Sequence, residues 1–253
     1  MGWLHEGHRS LMTKARADNT TAIATIFVNP RQFNEAADYQ RYPRNETRDL
    51  AMCEEVGLDF VFAPSVDEVY PAGFDTTVSV GAIARPLEGA ARPGHFDGVA
   101  TVVAILFNLI GAERAYFGQK DAQQVMVIRQ MARDLAIPTE VIACPTVREP
   151  DGLALSSRNV HLSRDERAAA PVLRRALLAG RASWEAGERS AQALRDAMRV
   201  ELASEPLAAP HYVSVADGAT LAELDQVPDA GPALLSLAVR FGETRLIDNE
   251  PIG

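Results

Sequence analysis

Short apolar runs alternate with helical segments along the first 145 residues, and this alternation limits the fold more than any other feature. The runs are rich in β-branched residues and cover residues 20–28, 59–63, 76–80, 114–117 and 139–144. Helical periodicity covers residues 46–56, 98–110 and 121–135, with Gly57 and Gly111 placed as C-caps. Strands that are apolar throughout are typical of a mostly parallel sheet covered on both faces. We therefore predict a doubly wound α/β fold that binds ligands at the carboxyl ends of its strands.

The pattern changes after about residue 150. Residues 164–187 and 190–205 predict two amphipathic helices, and candidate strands follow at 211–216, 234–241 and 244–248. Helices followed by strands indicate a separate, smaller α+β domain. We expect one domain over residues 1–150 and a second over residues 151–253, with the boundary near Glu149.

Charge and hydropathy exclude several classes of protein. The net charge of −9 and the pI near 5.1 argue against a nucleic-acid partner, because phosphate contacts need excess positive charge. No apolar run is long enough to cross a membrane, and the first residues lack the pattern of a signal peptide, so we expect a cytoplasmic location. Cys53 and Cys144 lie far apart in apolar contexts and predict small buried residues rather than a disulfide or a metal site.

Two histidines near the start form the first candidate site. His5 and His8 lie three residues apart, where a predicted helix begins. Residues at this spacing share a helix face, and the backbone N–H groups of a helix N-terminus attract phosphate. The pair therefore favours nucleotide chemistry. Two surface histidines in a frayed terminus, or half of a zinc site, remain open, although no further cluster supplies the other zinc ligands.

Four other segments carry polar groups next to predicted strand or helix ends. Lys120 follows a strand and a glycine, and it is one of only two lysines among 25 basic residues, the other being Lys14. A compact ammonium at a helix N-terminus suits a phosphate. The other candidate groups are Gln124 one turn later, the amides Asn29 and Gln32, the pair Arg92 and His95, and the segment Leu155–Ser156–Ser157–Arg158. Each of these segments is also compatible with an ordinary turn, loop or linker.

Taken together and in this order, the segments resemble one family. The matching stretches are MGxLHEGH at 1–8, FVNPxQF at 27–33, RYPR at 41–44, RPGHF at 92–96, GxKD at 118–121, LSSRN at 155–159 and TRLIDN at 244–249. The whole chain resembles the pantothenate synthetases, which belong to the HxGH nucleotidyltransferases. The resemblance implies a Rossmann-like first domain, a C-terminal lid domain and a homodimer. It also implies that ATP, with Mg²⁺, activates pantoate as an acyl adenylate, which β-alanine then converts to pantothenate.

The resemblance also implies roles for individual residues. The implied ATP contacts are Met1, Gly2, Trp3, Leu4, His5, Glu6, Gly7, His8, Gly118, Gln119, Lys120, Asp121, Val147, Leu155, Ser156, Ser157 and Arg158. His8 matches the proton donor of the family, and His5, His8, Lys120 and Arg158 are expected to supply positive groups to the phosphates. The implied pantoate and β-alanine contacts are Gln32, Gln124, Asn29, Arg92 and His95.

The chain departs from the family pattern at a few positions. Gln119 replaces a frequent glutamate, Ala37 replaces an acidic residue and Trp3 replaces a small one. The family also has a segment before Met1 with a central strand, so we expect the first strand of the sheet to be absent here. A start codon assigned at the internal methionine of the motif is the expected reason, and a true fragment is the alternative.

Two other functions stay open. One is an HxGH nucleotidyltransferase that acts on a different acceptor, such as a phosphorylated pantetheine or a mononucleotide, and the FVNPxQF segment with Gln124 argues against it. The other is a non-catalytic protein that binds ATP or a partner. Retention of His5, His8, Lys120 and Arg158 argues against that function.

Overall fold

The computed structural model describes residues 2–34 and 36–253, with the side chains of residues 36–38 left outside the description. Met1 and the side chain of Ala37, both singled out by sequence, therefore lie outside the described residues. The chain divides into two compact units, Met1–Pro145 and Thr146–Gly253. Each unit has its own sheets.

The strands of the first unit pair in parallel. Strand β1 (Ile23–Thr25) pairs with β2 (Phe60–Phe62), and β3 (Arg114–Gly118) pairs with β4 (Glu140–Cys144). The helices of this unit are α1 (Glu6–Asp18), α2 (Ala36–Arg41), α3 (Glu46–Val56), α4 (Val66–Val69), α5 (Glu88–Ala91), α6 (His95–Ile110) and α7 (Ala122–Asp134). Parallel strands joined through helices confirm the predicted α/β class for this unit.

The ends of two helices follow from local sequence. Asn45 caps α3 by accepting a hydrogen bond from the Arg48 N–H, and Gly57 ends the helix at φ 76°. Helix α6 ends at Gly111, whose φ is 63°. Both C-cap predictions are confirmed. Glycine adopts this left-handed conformation with less strain than residues that carry a Cβ atom, so its position marks a helix end in the sequence.

The second unit packs helices against an antiparallel sheet. Its helices are α8 (Arg164–Ala169), α9 (Val172–Glu185) and α10 (Ala191–Ala203), and its strands are β5 (Ala209–Asp217), β6 (Ala233–Phe241) and β7 (Thr244–Ile252). The sheet order is β5-β6-β7. Fully buried side chains of α9, α10 and β6 form its core, among them Leu173, Leu177, Leu194, Met198, Leu235 and Leu237. The predicted α+β arrangement of this part is confirmed.

Two predictions of secondary structure are wrong. Residues 76–80 form no strand; instead the Val78 N–H donates to Thr101 Oγ1 of α6 at 2.9 Å. The single helix predicted over residues 164–187 is broken into α8 and α9 at Pro171, which has no N–H to continue a helical hydrogen-bond ladder. Within the described residues, no helix combines the length and the apolar character needed to cross a membrane.

Candidate active site

His5 and His8 bond to the backbone where α1 begins. The Nδ1 atom of His5 accepts from the Gly7 N–H at 3.1 Å, and the Nδ1 atom of His8 accepts from the His5 N–H at 3.2 Å. The two ring centroids lie 4.0 Å apart. Because both Nδ1 atoms are acceptors, each neutral ring carries its proton on Nε2. The helix start therefore offers two imidazole Nε2–H donors.

Both imidazoles are neutral near pH 7. Burial, followed by the charge of Lys120, lowers the pKa of His5 to about 4. Burial, followed by its neighbour His5, lowers the pKa of His8 to about 3. This state differs from the expected positive charge on these residues, because two close, buried imidazoles beside an ammonium group resist protonation. In this neutral state each ring can donate a hydrogen bond only through its Nε2–H group.

Lys120 brings a positive charge close to the two histidines. It lies in the short 3-10 turn Gln119–Asp121, which joins Gly118 at the end of β3 to the start of α7. Its ammonium lies 3.6 Å from Asp121 Oδ1, and its side chain is only 16% exposed. Its effect on the pKa of both His5 and His8 places Lys120 within electrostatic range of the α1 terminus. The structure thus brings together the histidine and lysine motifs, which are more than 100 residues apart in sequence.

A buried carboxylate that sequence analysis missed holds the turn before α1. Asp49 of α3 is 1% exposed, and its Oδ1 accepts from the Leu4 N–H at 2.7 Å. In the same turn Trp3 has a φ of 54°, and the Arg48 guanidinium lies 4.8 Å from the centre of its indole ring. A positive φ strains a residue with a side chain, so these contacts from α3 maintain the turn.

Two of the three amides expected to bind pantoate, Asn29 and Gln32, meet in one cluster. Asn29 is 2% exposed; its Nδ2 donates to the Gly98 carbonyl at 3.0 Å and to Gln32 Oε1 at 3.2 Å. Its Oδ1 accepts from the Arg31 N–H at 3.1 Å and from the Tyr70 hydroxyl at 2.8 Å. Every hydrogen-bonding group of this buried carboxamide is thereby satisfied.

Arg92 and His95 join the same cluster through the backbone of Gln32. The Gln32 carbonyl accepts from Arg92 at 3.1 Å and from His95 Nδ1 at 2.9 Å. Arg92 also lies 3.2 Å from His95 Nε2, and since an arginine only donates, that nitrogen is the acceptor. Burial, followed by the Arg92 charge, lowers the pKa of His95 to about 4. His95 is therefore neutral and helps to hold Gln32.

Gln123 and its neighbour Gln124 have different environments. Gln123 is buried and donates to the carbonyls of Ile83 and Pro86, while its Oε1 accepts from the Glu88 N–H. It therefore fastens the loop before α5, a role that sequence analysis missed. Gln124 is half-buried on α7 and takes part in none of these three bonds.

The remaining expected nucleotide contacts belong to the second unit. The N–H of Leu155 donates to the Val147 carbonyl at 3.0 Å, and Arg148 and Ala154 form an antiparallel bridge, so residues 147–155 make a hairpin. The 3-10 turn Ser157–His161 follows, capped by Ser156, whose hydroxyl accepts from the Arg158 N–H. The Arg158 side chain is half-buried and has no ion-pair or hydrogen-bond partner among the described residues.

One carboxylate interacts electrostatically with both the histidine pair at α1 and the amide cluster around Asn29. The Asp121 carboxylate partly opposes the lowering of the pKa of both His5 and His95. It therefore lies within electrostatic range of the histidine pair and of the amide cluster. Within the first unit, the structure therefore brings together the polar groups at α1, at the β3–α7 turn and around Asn29. Uncharged donors beside one ammonium suit an anionic ligand with oxygen acceptors.

The described residues can also be compared with the ligand groups that hold metal ions in proteins. Within residues 2–34 and 36–253, no three His, Cys, Asp or Glu side chains are grouped so that they would hold a metal ion. Mg²⁺ usually keeps several waters and binds through substrate phosphates.

Comparisons with known proteins identify the family. The family model described as pantoate-beta-alanine ligase matches residues 1–251. The pantothenate synthetase of Chloroflexus aggregans is 60% identical over 98% of this chain and 90% of its own length, and that of Roseiflexus castenholzii is 62% identical over 98% and 89%.

Solved structures agree with the sequence relatives. The crystal structure of pantothenate synthetase from Thermus thermophilus matches with a TM-score of 0.95 and 50% identity, covering 99% of this chain and 90% of that one. A pantoate-beta-alanine ligase from Francisella tularensis, in complex with beta-gamma ATP and beta-alanine, matches with a TM-score of 0.79 and 35% identity, covering 99% and 86%. The chain therefore belongs to the pantoate-beta-alanine ligase family.

Proposed function

We propose that this chain condenses pantoate with β-alanine to form pantothenate, using ATP and an acyl-adenylate intermediate. One observation carries the proposal: two uncharged imidazole donors lie at the N-terminus of α1, within electrostatic range of the Lys120 ammonium, and the same unit holds the amide cluster of Asn29 and Gln32. The first group suits the phosphates of ATP, and the second suits the hydroxyl and carboxylate oxygens of pantoate. The Francisella tularensis relative, solved with an ATP analogue and beta-alanine, supports the same substrates.

In the proposed first half-reaction, a carboxylate oxygen of pantoate attacks the α-phosphorus of ATP. The bond between the α-phosphorus and the bridging oxygen breaks, giving pantoyl adenylate and pyrophosphate. The Nε2–H groups of His5 and His8 and the ammonium of Lys120 are proposed to bind the oxygens on which negative charge increases. Val147 and the Leu155–Arg158 segment are proposed to complete the nucleotide site. Mg²⁺ bound to ATP would neutralise part of the phosphate charge.

In the proposed second half-reaction, the amine of β-alanine attacks the acyl carbon and AMP leaves. Gln32 and Gln124 are proposed to hold pantoate, and Gln32 also to contact β-alanine. An acyl adenylate is hydrolysed by water, so the site must exclude water until the amine arrives. We propose that residues 1–150 carry the site and that residues 151–253 act as the lid, in a cytoplasmic homodimer.

An isotope experiment tests the adenylate directly. Pantoate labelled with ¹⁸O in its carboxylate should transfer one ¹⁸O atom to AMP, because the attacking oxygen leaves with the phosphate when the amide forms. The products of the purified chain with Mg²⁺, ATP and β-alanine would be analysed by mass spectrometry. Label in inorganic phosphate instead of AMP would overturn the adenylate, and ATP binding without turnover would favour the non-catalytic alternative.

The two lysines of the chain provide a matched pair of variants. Lys120→Gln should lower kcat/KM for ATP by about a hundredfold, because the charge beside the phosphates is lost. Lys14→Gln removes an exposed ion pair, in which Lys14 Nζ lies 3.0 Å from Asp18 Oδ2. It should change kcat/KM by less than about twofold. Equal effects of the two substitutions would contradict the role proposed for Lys120.

A further inference from the structure

Tyr70 is a conspicuous side chain near the amide cluster for which the proposed chemistry has no role. It follows the short helix α4, and its hydroxyl donates to Asn29 Oδ1 at 2.8 Å. Its ring is also held in place, with the Arg31 guanidinium 5.3 Å and the Phe74 ring 5.1 Å from its centre. Burial raises the pKa of Tyr70 to about 12, so the hydroxyl keeps its proton at any physiological pH.

The orientation of the Asn29 carboxamide follows from its backbone partners. The Arg31 N–H is a donor, so the atom facing it must be Oδ1; the Gly98 carbonyl is an acceptor, so the atom facing it must be Nδ2. The Tyr70 hydroxyl adds a second donor to Oδ1. Asn29 therefore has one permitted orientation, and Tyr70 reinforces it.

The orientation of the Gln32 carboxamide follows in turn from Asn29. Asn29 Nδ2 donates at 3.2 Å, so the Gln32 atom facing it must be the acceptor Oε1. The Gln32 Nε2 atom is then turned away from Asn29, and no protein group of the described residues accepts from it. Gln32 thus presents hydrogen-bond donors, and its ligand must supply an acceptor oxygen.

We propose that Tyr70 is a positioning residue, which acts through Asn29 to keep the Nε2–H donors of Gln32 available for a hydroxyl or carboxylate oxygen of the substrate. The substrate part of this proposal rests on the proposed function, with pantoate as the ligand. The relay of orientation from Tyr70 to Gln32 rests only on the contacts above. The two parts are therefore tested by different measurements.

The first measurement is kinetic and uses Tyr70→Phe, which keeps the ring and its contacts with Arg31 and Phe74. Loss of one hydrogen bond should raise KM for pantoate about three- to tenfold and leave KM for ATP unchanged. Tyr116→Phe is the control, because it removes a hydroxyl that bonds to Asn19 at 2.8 Å. It should leave both KM values unchanged. An equal rise in both KM values for Tyr70→Phe would indicate a general structural defect and overturn the proposal.

A double-mutant cycle with Asn29→Ala asks whether Tyr70 acts through Asn29. In the Asn29→Ala background the relay is already broken, so adding Tyr70→Phe should change KM for pantoate by less than about twofold. A full additional three- to tenfold effect would show that Tyr70 acts independently, which would overturn the relay.

The second measurement needs no turnover. The side-chain NH₂ resonances of Asn29 and Gln32, assigned from their losses in Asn29→Ala and Gln32→Ala, should both shift in Tyr70→Phe. Tyr116→Phe should shift the Asn19 NH₂ resonance and neither of these. A shift of Asn29 alone would overturn the relay. If both shift while the wild-type chain makes no pantothenate, the relay stands and the proposed function fails.

Discussion

Gly98 of α6 lies so close to the 3-10 turn Pro30–Gln32 that a single added carbon does not fit. A Cβ atom at Gly98 would lie 2.2 Å from the Arg31 carbonyl oxygen, and its nearest neighbours are all backbone atoms that cannot rotate away. We expect Gly98→Ala to lower the free energy of unfolding by about 3 kcal/mol, because the turn must move and the Asn29 bond to the Gly98 carbonyl is lost.

Gly118→Ala is the matched control for this substitution. Gly118 has a φ of −78° and no atom within 4 Å of its added Cβ, so its replacement should leave stability nearly unchanged. Urea unfolding of both variants measures the difference. Equal midpoints would contradict the close packing described for Gly98.

At the scale of residues, the sequence indicated which chemical groups lie together better than it indicated their protonation states. The spacing of His5 and His8 and the rarity of lysine correctly drew attention to groups that lie together. The charge of the imidazoles was not predictable, because it depends on burial and on Lys120, a distant residue in sequence. Asp49, Tyr70 and Gln123 were missed for the same reason: their partners lie 35 to 45 residues away along the chain.

At the scale of elements, the hairpin of residues 147–155 depends on one buried ion pair. Arg148 donates to both carboxylate oxygens of Asp248 in β7, at 2.6 and 3.0 Å, and to the Gly152 carbonyl at 3.1 Å. The Asp248 side chain is 2% exposed. We expect Asp248→Asn to destabilise the second unit by about 3 kcal/mol, because a charge of a buried pair is left without its partner.

The same substitution should also loosen the hairpin itself. The Leu155 N–H, bonded to the Val147 carbonyl, should exchange with solvent faster in Asp248→Asn. Asp196→Asn removes the carboxylate of an exposed pair with Arg199 and should affect neither stability nor this exchange. Unfolding would be followed by the fluorescence of Trp184, with Trp3 replaced by Phe. Unchanged exchange at Leu155 would show that the ion pair does not hold the hairpin.

Elements with local signals were predicted well, and those without them were not. Helix α3 begins and ends at the predicted residues, because Asn45 caps its start and Gly57 ends it. The break at Pro171 was missed because the apolar period continues across it, and residues 76–80 have strand-like composition but are held by a side chain of α6. Composition describes what a segment prefers, and tertiary contacts decide what it forms.

At the scale of the whole molecule, three neutral histidines make the first unit sensitive to acid. The pKa values of His5, His8 and His95 are lowered to about 4, 3 and 4, below the usual value of 6.5. Each side chain binds a proton more readily when the chain is unfolded. The stability linked to these groups is therefore complete well above pH 6.5 and is lost as the pH falls toward 4 for His5 and His95, and toward 3 for His8.

This linkage predicts a slope that can be measured in single-histidine variants. Each extra proton bound by the unfolded chain lowers the free energy of unfolding by about 1.4 kcal/mol per pH unit, and between pH 6.5 and 5 His95 alone should account for about 1.6 kcal/mol. With Trp184 replaced by Phe, Trp3 reports on the first unit during urea unfolding at several pH values above 5, where most carboxylates remain ionised. His95→Gln retains a donor for the Gln32 carbonyl and an acceptor for Arg92 but binds no proton, so its slope should be shallower by about one proton. A slope equal to that of the parent protein would mean that His95 is already protonated in the folded chain, and Arg92 would then have to move away from its Nε2.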